Sequence, residues 1–248
     1  MKGHNITEKE DFHKTLIIDI ETVPLTKDWK ELSPALQKHW EHKVQFLHIP
    51  EQERERPDEC FFRRAGIYSE FGKVVCIGLG FIDARQENLH IRLKSIYDHD
   101  EKKLLHAFCE LVSAFGQQNK EVIFCGHNIK EFDLPYLCRR MLINGLSLPK
   151  CLKMSGLKPW QVAHKDTMEL WRFGDYKHYT SLDLLAAVLG VNSSKTDMDG
   201  SMVGHAYWQE NDLKSISSYC LRDIYTTAMV YLKLKGITGD LIPEYIPS

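Results

Sequence analysis

Residues 16–22, with the sequence LIIDIET, place two carboxylates in a short apolar run. A run of Leu and Ile of this length is typical of a β-strand that is buried on both faces. Because side chains alternate along a strand, Asp19 and Glu21 leave the same face, with α-carbons about 6.6 Å apart. Two half-buried carboxylates repel, and burying even one unpaired charge is costly. The run contains no Lys or Arg, so the pair predicts a distant basic partner or a divalent cation.

The composition excludes several classes of protein. The 248 residues are 43% hydrophobic and 27% charged, as in ordinary soluble globular domains. A net charge of −2 argues against tight, sequence-independent binding of duplex nucleic acid, which requires a strongly basic surface. The longest apolar run, residues 74–82, is too short to span a membrane, and no apolar signal segment begins the sequence. The seven cysteines include no C-x-x-C pair. We therefore expect a cytoplasmic protein with reduced thiols, no zinc site and no membrane partner.

Hydrophobic periodicity outside the first strand predicts an alternation of strands and helices. Further strands are predicted at about 73–81, 89–96, 121–126 and 165–170, and helices at about 100–115, 132–146, 181–189 and 213–234. Strands dominate the first half, and helices then alternate with them. This order predicts an α/β domain built on a mixed sheet. No repeat, linker or second domain is recognisable, so we expect residues 1–248 to form one domain.

A segment of about residues 26–72 interrupts the alternation. Ser33 followed by a proline predicts the start of a helix, and an apolar stripe at i+4 spacing continues it. The stripe consists of Leu36, Trp40 and Val44. The charged stretch 51–59 predicts a solvated loop, and residues 61–68 predict a second short helix. Because the segment begins just after the two carboxylates, we expect a helical flap beside their cleft.

A second polar stretch, residues 126–133 with the sequence GHNIKEFD, follows a predicted strand and opens a predicted helix. Asp133 therefore stands where a strand end meets a helix start, a common position for site residues on α/β sheets. Pro135, just inside the helix, supports an alternative in which Asp133 is only an N-cap. Asn128 can likewise be a turn residue.

A third stretch, residues 219–223 with the sequence YCLRD, lies in the middle of the last predicted helix. Tyr219 and Asp223 are four residues apart and therefore share a face of this helix. An Asp in mid-helix has poor helix propensity and no cap to make. A phenol and a carboxylate together at the margin of the core indicate a functional site.

The same Tyr-x-x-x-Asp spacing occurs once more, at Tyr179 and Asp183. There, Thr180 and Asp183 fit a capping box at the start of a helix, and an apolar run follows at once. We therefore assign Asp183 to structure, and Tyr219 and Asp223 to the site. Asp166, at the start of a predicted strand, is expected to be a polar neighbour of the site rather than a metal ligand.

With these three stretches, the chain resembles the DnaQ-like (DEDD) superfamily of 3′–5′ exonucleases. In particular, it resembles stand-alone relatives of the exonuclease domain of family B DNA polymerases. The first motif of that group, Asp-x-Glu, matches Asp19 and Glu21. The third motif, Tyr-x-x-x-Asp, matches Tyr219 and Asp223.

The second motif of the group, Asn-x-x-x-(Phe/Tyr)-Asp, matches Asn128, Phe132 and Asp133. The sister branch has a His five residues before the last Asp. Ser218 stands at that position, so the resemblance implies the Tyr subtype. It covers about residues 15–235.

The resemblance implies a ribonuclease H-like fold, with a mixed sheet flanked by helices and with residues 26–72 as a helical insertion after the first strand. It further implies removal of nucleotides from the 3′ end of single-stranded nucleic acid, with DNA favoured over RNA, although no residue of the sequence distinguishes the two. We expect no polymerase domain in this chain.

The implied chemistry uses two ions of Mg²⁺ or Mn²⁺, cations that prefer oxygen ligands. Two such ions stabilise both the attacking and the leaving oxygen of an in-line displacement. The resemblance implies that Asp19 bridges both ions and that Glu21 and Asp223 complete the shell of the ion that activates water. Asp133 would hold the other ion, and Tyr219 would orient the attacking water.

The expected substrate contacts are Thr22, Val23, Leu25, Asn128 and Phe132, which flank the first two motifs. Two alternatives remain open at this point. The chain could be a nucleic-acid-binding module that keeps the fold without the activity, although all five catalytic-type residues are present. It could also be another metal nuclease of ribonuclease H-like fold, although the second and third stretches favour the exonuclease.

Overall fold

The computed structural model describes residues 12–84, 89–175, 177–192 and 198–247. Within these ranges a six-stranded mixed sheet has the strand order β5-β4-β1-β2-β3-β6. The strands are β1 (Thr15–Pro24), β2 (Gly72–Asp83), β3 (His90–Tyr97), β4 (Ile123–Gly126), β5 (Lys165–Asp166) and β6 (Ile242–Tyr245). In the interior of the sheet, β1 pairs antiparallel with β2 and parallel with β4. The predicted mixed α/β sheet is confirmed, and the two carboxylates of β1 lie on one of its inner strands.

Helices cover both faces of this sheet. They are α1 (Pro34–Val44), α2 (Glu51–Arg54), α3 (Pro57–Arg64), α4 (Glu101–Asn119), α5 (Asp133–Ile143), α6 (Thr167–Arg172), α7 (Leu182–Val188), α8 (Val203–Trp208) and α9 (Leu213–Leu234). On one face, Ile18 packs in a cluster with side chains of α4 and α5. On the other face, Ile17 packs with side chains of α7 and α9. Both residues are fully buried, so β1 is the doubly covered strand that its sequence predicts. In the described part of the chain, no helix has the length and apolarity that a membrane crossing requires.

Three elements outside the segment 26–72 differ from their predictions. The predicted strand at 165–170 ends after Asp166, and helix α6 begins at Thr167 because the Asp166 carboxylate accepts from the N–H groups of Met168 and Glu169 as an N-cap. Helix α8 and strand β6 are not predicted from the sequence. Helix α8 has six residues, fewer than the window of about 11–18 in which a helical pattern is recognised. Strand β6 has four residues, and one of them is a proline, which weakens a strand signal.

The segment 26–72 has an apolar cluster of its own. Around Trp40, the cluster contains Leu32, Val44, Cys60, Phe61, Ala65 and Phe71. The Ser33 side chain caps α1 by accepting from the Leu36 N–H, as predicted. The solvated loop predicted at 51–59 is wrong, because α2 occupies its first half and α3 begins at Pro57. Arg64 of α3 forms an ion pair with Glu53 of α2 at 2.9 Å, which links these two helices.

This segment packs against the end of β1. The Leu25 N–H donates to the Phe71 carbonyl at 2.8 Å. A Cβ at Gly66 would lie 3.2 Å from the backbone of Val23, so a glycine here permits close approach. The Tyr136 hydroxyl of α5 donates to the Gly66 carbonyl at 2.9 Å. The segment therefore lies beside the strand end that follows Glu21, which is the position the predicted flap requires.

A buried ion pair holds α5, α4 and the segment 26–72 together. Arg140 donates from Nε to Glu101 at 2.9 Å and from Nη1 to the Ser69 carbonyl at 2.9 Å. Glu101 also accepts from the Val74 N–H of β2 at 2.8 Å. Side chains of the pair are 5% and 7% exposed. Because α5 begins at Asp133, this network holds the helix that carries one of the predicted site carboxylates.

Replacing Arg140 should therefore destabilise the fold. Arg140→Met leaves Glu101 buried without its cation and should lower the free energy of unfolding by about 3–5 kcal/mol. Arg139→Met changes the exposed neighbour on the same helix and should change it by less than about 0.5 kcal/mol. Chemical denaturation of both variants measures the difference. Equal losses would contradict the assignment of the stabilisation to the buried pair.

Candidate active site

Strand β1 supplies the first two carboxylates on the face that α9 covers. The Cys220 sulfur of α9 lies 3.6 Å from Oδ2 of Asp19. In β2, Gly78 stands opposite Asp19, and a Cβ there would lie 2.7 Å from the Cys220 sulfur. A Cβ at Gly80 would lie 2.6 Å from a methyl group of Ile224. These two glycines therefore let α9 approach the sheet closely enough to place its side chains over Asp19.

Asp133 reaches the same cluster from the loop after β4. It is the first residue of α5, and the helix shows no side-chain capping bond. Its Oδ1 instead accepts from the N–H of Ile20 at 3.1 Å, the residue between the two carboxylates of β1. The N-cap alternative is thus not what the structure shows. Asp133 is 3% exposed and is directed at β1.

Helix α9 contributes the residues of the third motif, Tyr219 and Asp223. Tyr219 is 6% exposed, and its hydroxyl donates a hydrogen bond to the Asp223 carboxylate. The charge of Asp223 in turn raises the pKa of both Asp19 and Glu21. The structure therefore brings together all five residues that the sequence assigns to catalysis.

This cluster holds negative charge in a poorly solvated place. Burial raises the pKa of Asp19 well above its usual value, and the charges of Asp133 and Asp223 raise it further. Burial also raises the pKa of Glu21, and the charges that act on it are all carboxylates. Burial raises the pKa of Asp133 to about 7, although the Ile20 N–H lowers it. Without a cation, such a cluster keeps protons on groups that are ordinarily ionised at neutral pH.

The donor atoms of the cluster fit a divalent cation. Asp19, Glu21 and Cys220 each offer a ligand atom, and these atoms all lie within 4.8 Å of one another. Glu21 is only 7% exposed, and the charges of Asp19, Asp223 and Asp133 act on its carboxylate. A largely buried carboxylate among like charges is costly unless a proton or a cation compensates it.

Asp166, predicted to be a polar neighbour of the site, organises the loop that leads to Asp133. Its Oδ1 accepts from the Asn128 N–H at 2.9 Å, and its Oδ2 accepts from the Lys130 N–H at 3.1 Å. Together with the cap of α6, these bonds fix the backbone between β4 and α5. Its charge also raises the pKa of Asp133, so it lies close to the cluster.

His127 belongs to the same loop and is not singled out by the sequence. Its Nε2 donates to the Thr180 carbonyl at 2.8 Å, and its Nδ1 lies 2.9 Å from the Thr167 hydroxyl. A carbonyl can only accept, so Nε2 carries the proton. Burial lowers the pKa of His127, although the charges of Asp166 and Asp223 raise it. Its partners come from distant segments, so no local pattern could indicate its role.

The predicted substrate contacts differ in how accessible they are. Val23 is fully buried in a cluster with α8, so only its backbone is left for the predicted contact. Thr22, Leu25 and Phe132 are half-buried. Asn128 has a left-handed φ of 63°, and its Oδ1 is buried without a hydrogen-bond partner among the described residues. A buried acceptor without a donor fits a group that meets a ligand.

The second Tyr-x-x-x-Asp stretch is not arranged as predicted. The N-cap of α7 is Ser181, whose side chain accepts from the Leu184 N–H, and not Thr180. The carbonyl of Thr180 is instead the acceptor of the His127 bond. The predicted capping box is therefore wrong by one residue. Asp183 lies in the first turn of α7, where the helix dipole favours a negative charge.

Comparisons with known proteins bear on this arrangement. Residues 67–246 match a family described as "Predicted 3'-5' exonuclease related to the exonuclease domain of PolB". The match includes the second and third motifs and begins after Asp19 and Glu21. No curated protein matches the chain. A family B DNA polymerase from the hyperthermophilic archaeon Pyrobaculum calidifontis is similar in structure, with a TM-score of 0.51 at 13% sequence identity.

That likeness covers 88% of this chain and 24% of the polymerase chain, so this protein spans about a quarter of the polymerase's length. At this identity the likeness shows the fold alone. The mixed six-stranded sheet with flanking helices is consistent with the ribonuclease H-like fold of the polymerase exonuclease domain. Because the family match extends over well more than half of the residues, the chain belongs to the family of predicted 3′–5′ exonucleases related to the exonuclease domain of PolB.

Proposed function

We propose that this protein is a metal-dependent exonuclease that removes nucleotides from the 3′ end of single-stranded nucleic acid, with DNA preferred over RNA. The observation that carries the proposal is the convergence of four carboxylates and a phenol from β1, α5 and α9. The raised pKa values of Asp19, Glu21 and Asp133 support a site that exchanges protons for cations. Family membership supports the direction of cleavage, and the similarity to a DNA polymerase supports DNA as the substrate.

Two divalent cations, Mg²⁺ or Mn²⁺, would supply the stabilisation of charge on the attacking and leaving oxygens. The task of the chain is to hold them. Asp19 would contact both cations, in keeping with the charges of Asp133 and Asp223 that act on it. Glu21 and Asp223 would hold one cation, and Asp133 would hold the other.

Tyr219 would orient the attacking water. Burial raises the pKa of its phenol, and the charges of Asp223 and Glu21 raise it further. The phenol therefore keeps its proton and acts through a hydrogen bond rather than as a base. The bond from its hydroxyl to Asp223 holds it at the cluster. Its oxygen retains lone pairs that can accept from water.

One assay separates this proposal from its two alternatives. A 5′-labelled single strand is incubated with the protein and Mn²⁺, as matched DNA and RNA. A ladder that shortens from the 3′ end supports an exonuclease. Internal cuts would indicate another metal nuclease, and retention of the intact strand would indicate a binding module. Faster digestion of RNA than of DNA would overturn the preferred substrate.

The two Tyr-x-x-x-Asp stretches provide a matched pair of variants. Asp223→Asn keeps the shape of the side chain but removes a charge that a cation needs, so it should lower turnover by orders of magnitude. It should leave the melting temperature of the metal-free protein unchanged or higher, because a repulsion is relieved. Asp183→Asn should retain most activity and cost at most about 1 kcal/mol through the weaker helix-dipole interaction. Loss of cleavage in a folded Asp183→Asn protein, with cleavage intact in Asp223→Asn, would place the third motif on α7.

Tyr219→Phe tests the phenol separately. The variant keeps the packing and removes one hydroxyl, so turnover should fall by about one to two powers of ten, as for an orienting group. Cation binding should be little changed because no ligand is removed. Steady-state cleavage and Mn²⁺ titration measure the two effects. A variant that cleaves as fast as the wild type would exclude the orienting role.

The raised pKa values make the stability of the metal-free protein depend on pH. An Asp titrates near about 3.9 in the unfolded chain, whereas Asp133 has a pKa of about 7 in the folded chain. The folded state therefore binds this proton more tightly, and its stabilising effect is present below about pH 4 and lost as the pH rises through about 7. Asp133→Asn cannot ionise. The free energy of unfolding of the wild type, relative to this variant, should fall between about pH 5 and pH 8.

Denaturant titrations at several pH values measure this difference, and a constant difference would contradict it.

The same site predicts an effect of metal. Mn²⁺ should raise the melting temperature of the wild type more than that of Asp19→Ala, because ions that bind only the folded state add stability by mass action. Equal shifts in the two proteins would show that Mn²⁺ binds elsewhere.

A further inference from the structure

We propose that Cys220 is a metal ligand, which together with Asp19 and Glu21 binds a thiophilic divalent cation such as Zn²⁺ or Cd²⁺. Cys220 lies inside the third motif, at one of the positions that the motif leaves unspecified. The inference deepens the proposed function, on which it rests only in placing a cation among these carboxylates. It adds a consequence, since a cation held by Asp19 and Glu21 excludes Mg²⁺ from the same carboxylates.

The geometry is that of one coordination sphere. Cys220 comes from α9, and Asp19 and Glu21 come from β1, and one donor atom of each lies within 4.8 Å of the other two. With a Zn–S bond of about 2.3 Å and Zn–O bonds of about 2.0–2.2 Å in a tetrahedral site, two ligands of one ion lie about 3.3–3.7 Å apart. A pair of donors at the 4.8 Å limit would therefore close by about 1 Å on binding. The Cys220 sulfur already lies 3.6 Å from Oδ2 of Asp19.

Glu21 is the second carboxylate that a cation would compensate. The residue is 7% exposed. The charges acting on it come from three other carboxylates. A cation between Glu21, Asp19 and Cys220 compensates this buried group, whereas a thiol alone does not.

The sulfur decides which cations are favoured. Thiolate is a soft ligand that selects Zn²⁺ and Cd²⁺ over the hard cation Mg²⁺. On binding, the S–H bond of Cys220 is replaced by a metal–sulfur bond, and the proton leaves to solvent. The buried thiol of Cys76, which stands opposite Glu21 in β2, is hydrogen-bonded to Cys220. This bond and burial raise the pKa of the Cys220 thiol, so the cation has to displace the proton from the sulfur.

The absence of a C-x-x-C pair led to the expectation of no zinc site. That pattern detects ligands that are neighbours in the chain. Here the sulfur and the two oxygens come from residues about two hundred positions apart, and only the close packing of α9 on β1 and β2 brings them together. No spacing in the sequence could show the set.

The test uses the full metal-free chain titrated with Cd²⁺ and followed by its ultraviolet thiolate-to-metal absorption. The wild type should develop this band at one equivalent of Cd²⁺. Cys220→Ser should lose the band and bind Cd²⁺ at least tenfold more weakly, whereas Cys76→Ser should keep the band. Cys125→Ser, a buried thiol on β4, is the matched control and should behave as the wild type. A band that persists in Cys220→Ser, or that disappears only in Cys76→Ser, would overturn the proposal.

A measurement without variants guards against loss of folding in Cys220→Ser. Cadmium-113 NMR of the wild type at one equivalent should show a resonance with one sulfur ligand, and a resonance with oxygen ligands alone would overturn the proposal. The outcome is separable from the exonuclease proposal. Cleavage in Mg²⁺ without a cadmium–thiolate band would reject Cys220 and keep the exonuclease. A band that depends on Cys220 in a protein without cleavage would support Cys220 as a ligand and reject the exonuclease.

Discussion

The close contact of α9 with the sheet is the constraint on which the site depends. Gly78 and Gly80 leave a groove on β2, and side chains of Cys220 and Ile224 fill the space that two Cβ atoms would take. Any larger residue there would push the helix away. Tyr219 and Asp223 would then no longer reach the carboxylates of β1. The close packing of α9 on the sheet therefore also assembles the candidate active site.

That contact places negative charges where water solvates them poorly. Asp19, Glu21 and Asp133 have raised pKa values, and burial is the largest cause for each of them. A protein stabilises such a cluster with basic side chains, protons or metal ions. The charges that act on Glu21 are those of carboxylates, so protons and metal ions are left as the groups that can stabilise this cluster. The cost of burial in the metal-free state would thus be the source of the proposed cation affinity.

Supporting contacts fix the positions of these groups from outside the cluster. Asp166 holds the loop between β4 and α5 through backbone N–H groups, and Asp133 accepts from the strand that bears its partners. The Glu101–Arg140 pair ties α5 to β2 and to the segment 26–72. Each of these contacts joins residues far apart in the chain. Rigid placement matters because a shift of about 1 Å in a catalytic group can cost a large part of the rate.

The sequence by itself determined the elements whose signal is local. The apolar run around Asp19 predicts a strand buried on both faces, and the period of residues 213–234 predicts α9 with its observed bounds. Three short motifs identify the five candidate catalytic residues. Local patterns fail where an element is too short to be recognised, as in α8 and β6, or where a cap shifts by one residue, as at Ser181.

Only the tertiary structure decided how these residues meet. It directs Asp133 at the Ile20 N–H rather than at its own helix, and it gives His127 and Asp166 their partners. It also places the Cys220 sulfur beside Asp19. These relations depend on distances between segments that are separated by tens to hundreds of residues. Strand and helix propensities act over a few residues, so they carry no information on such distances. The packing of α9 over two glycines of β2 sets the distances between α9 and β1.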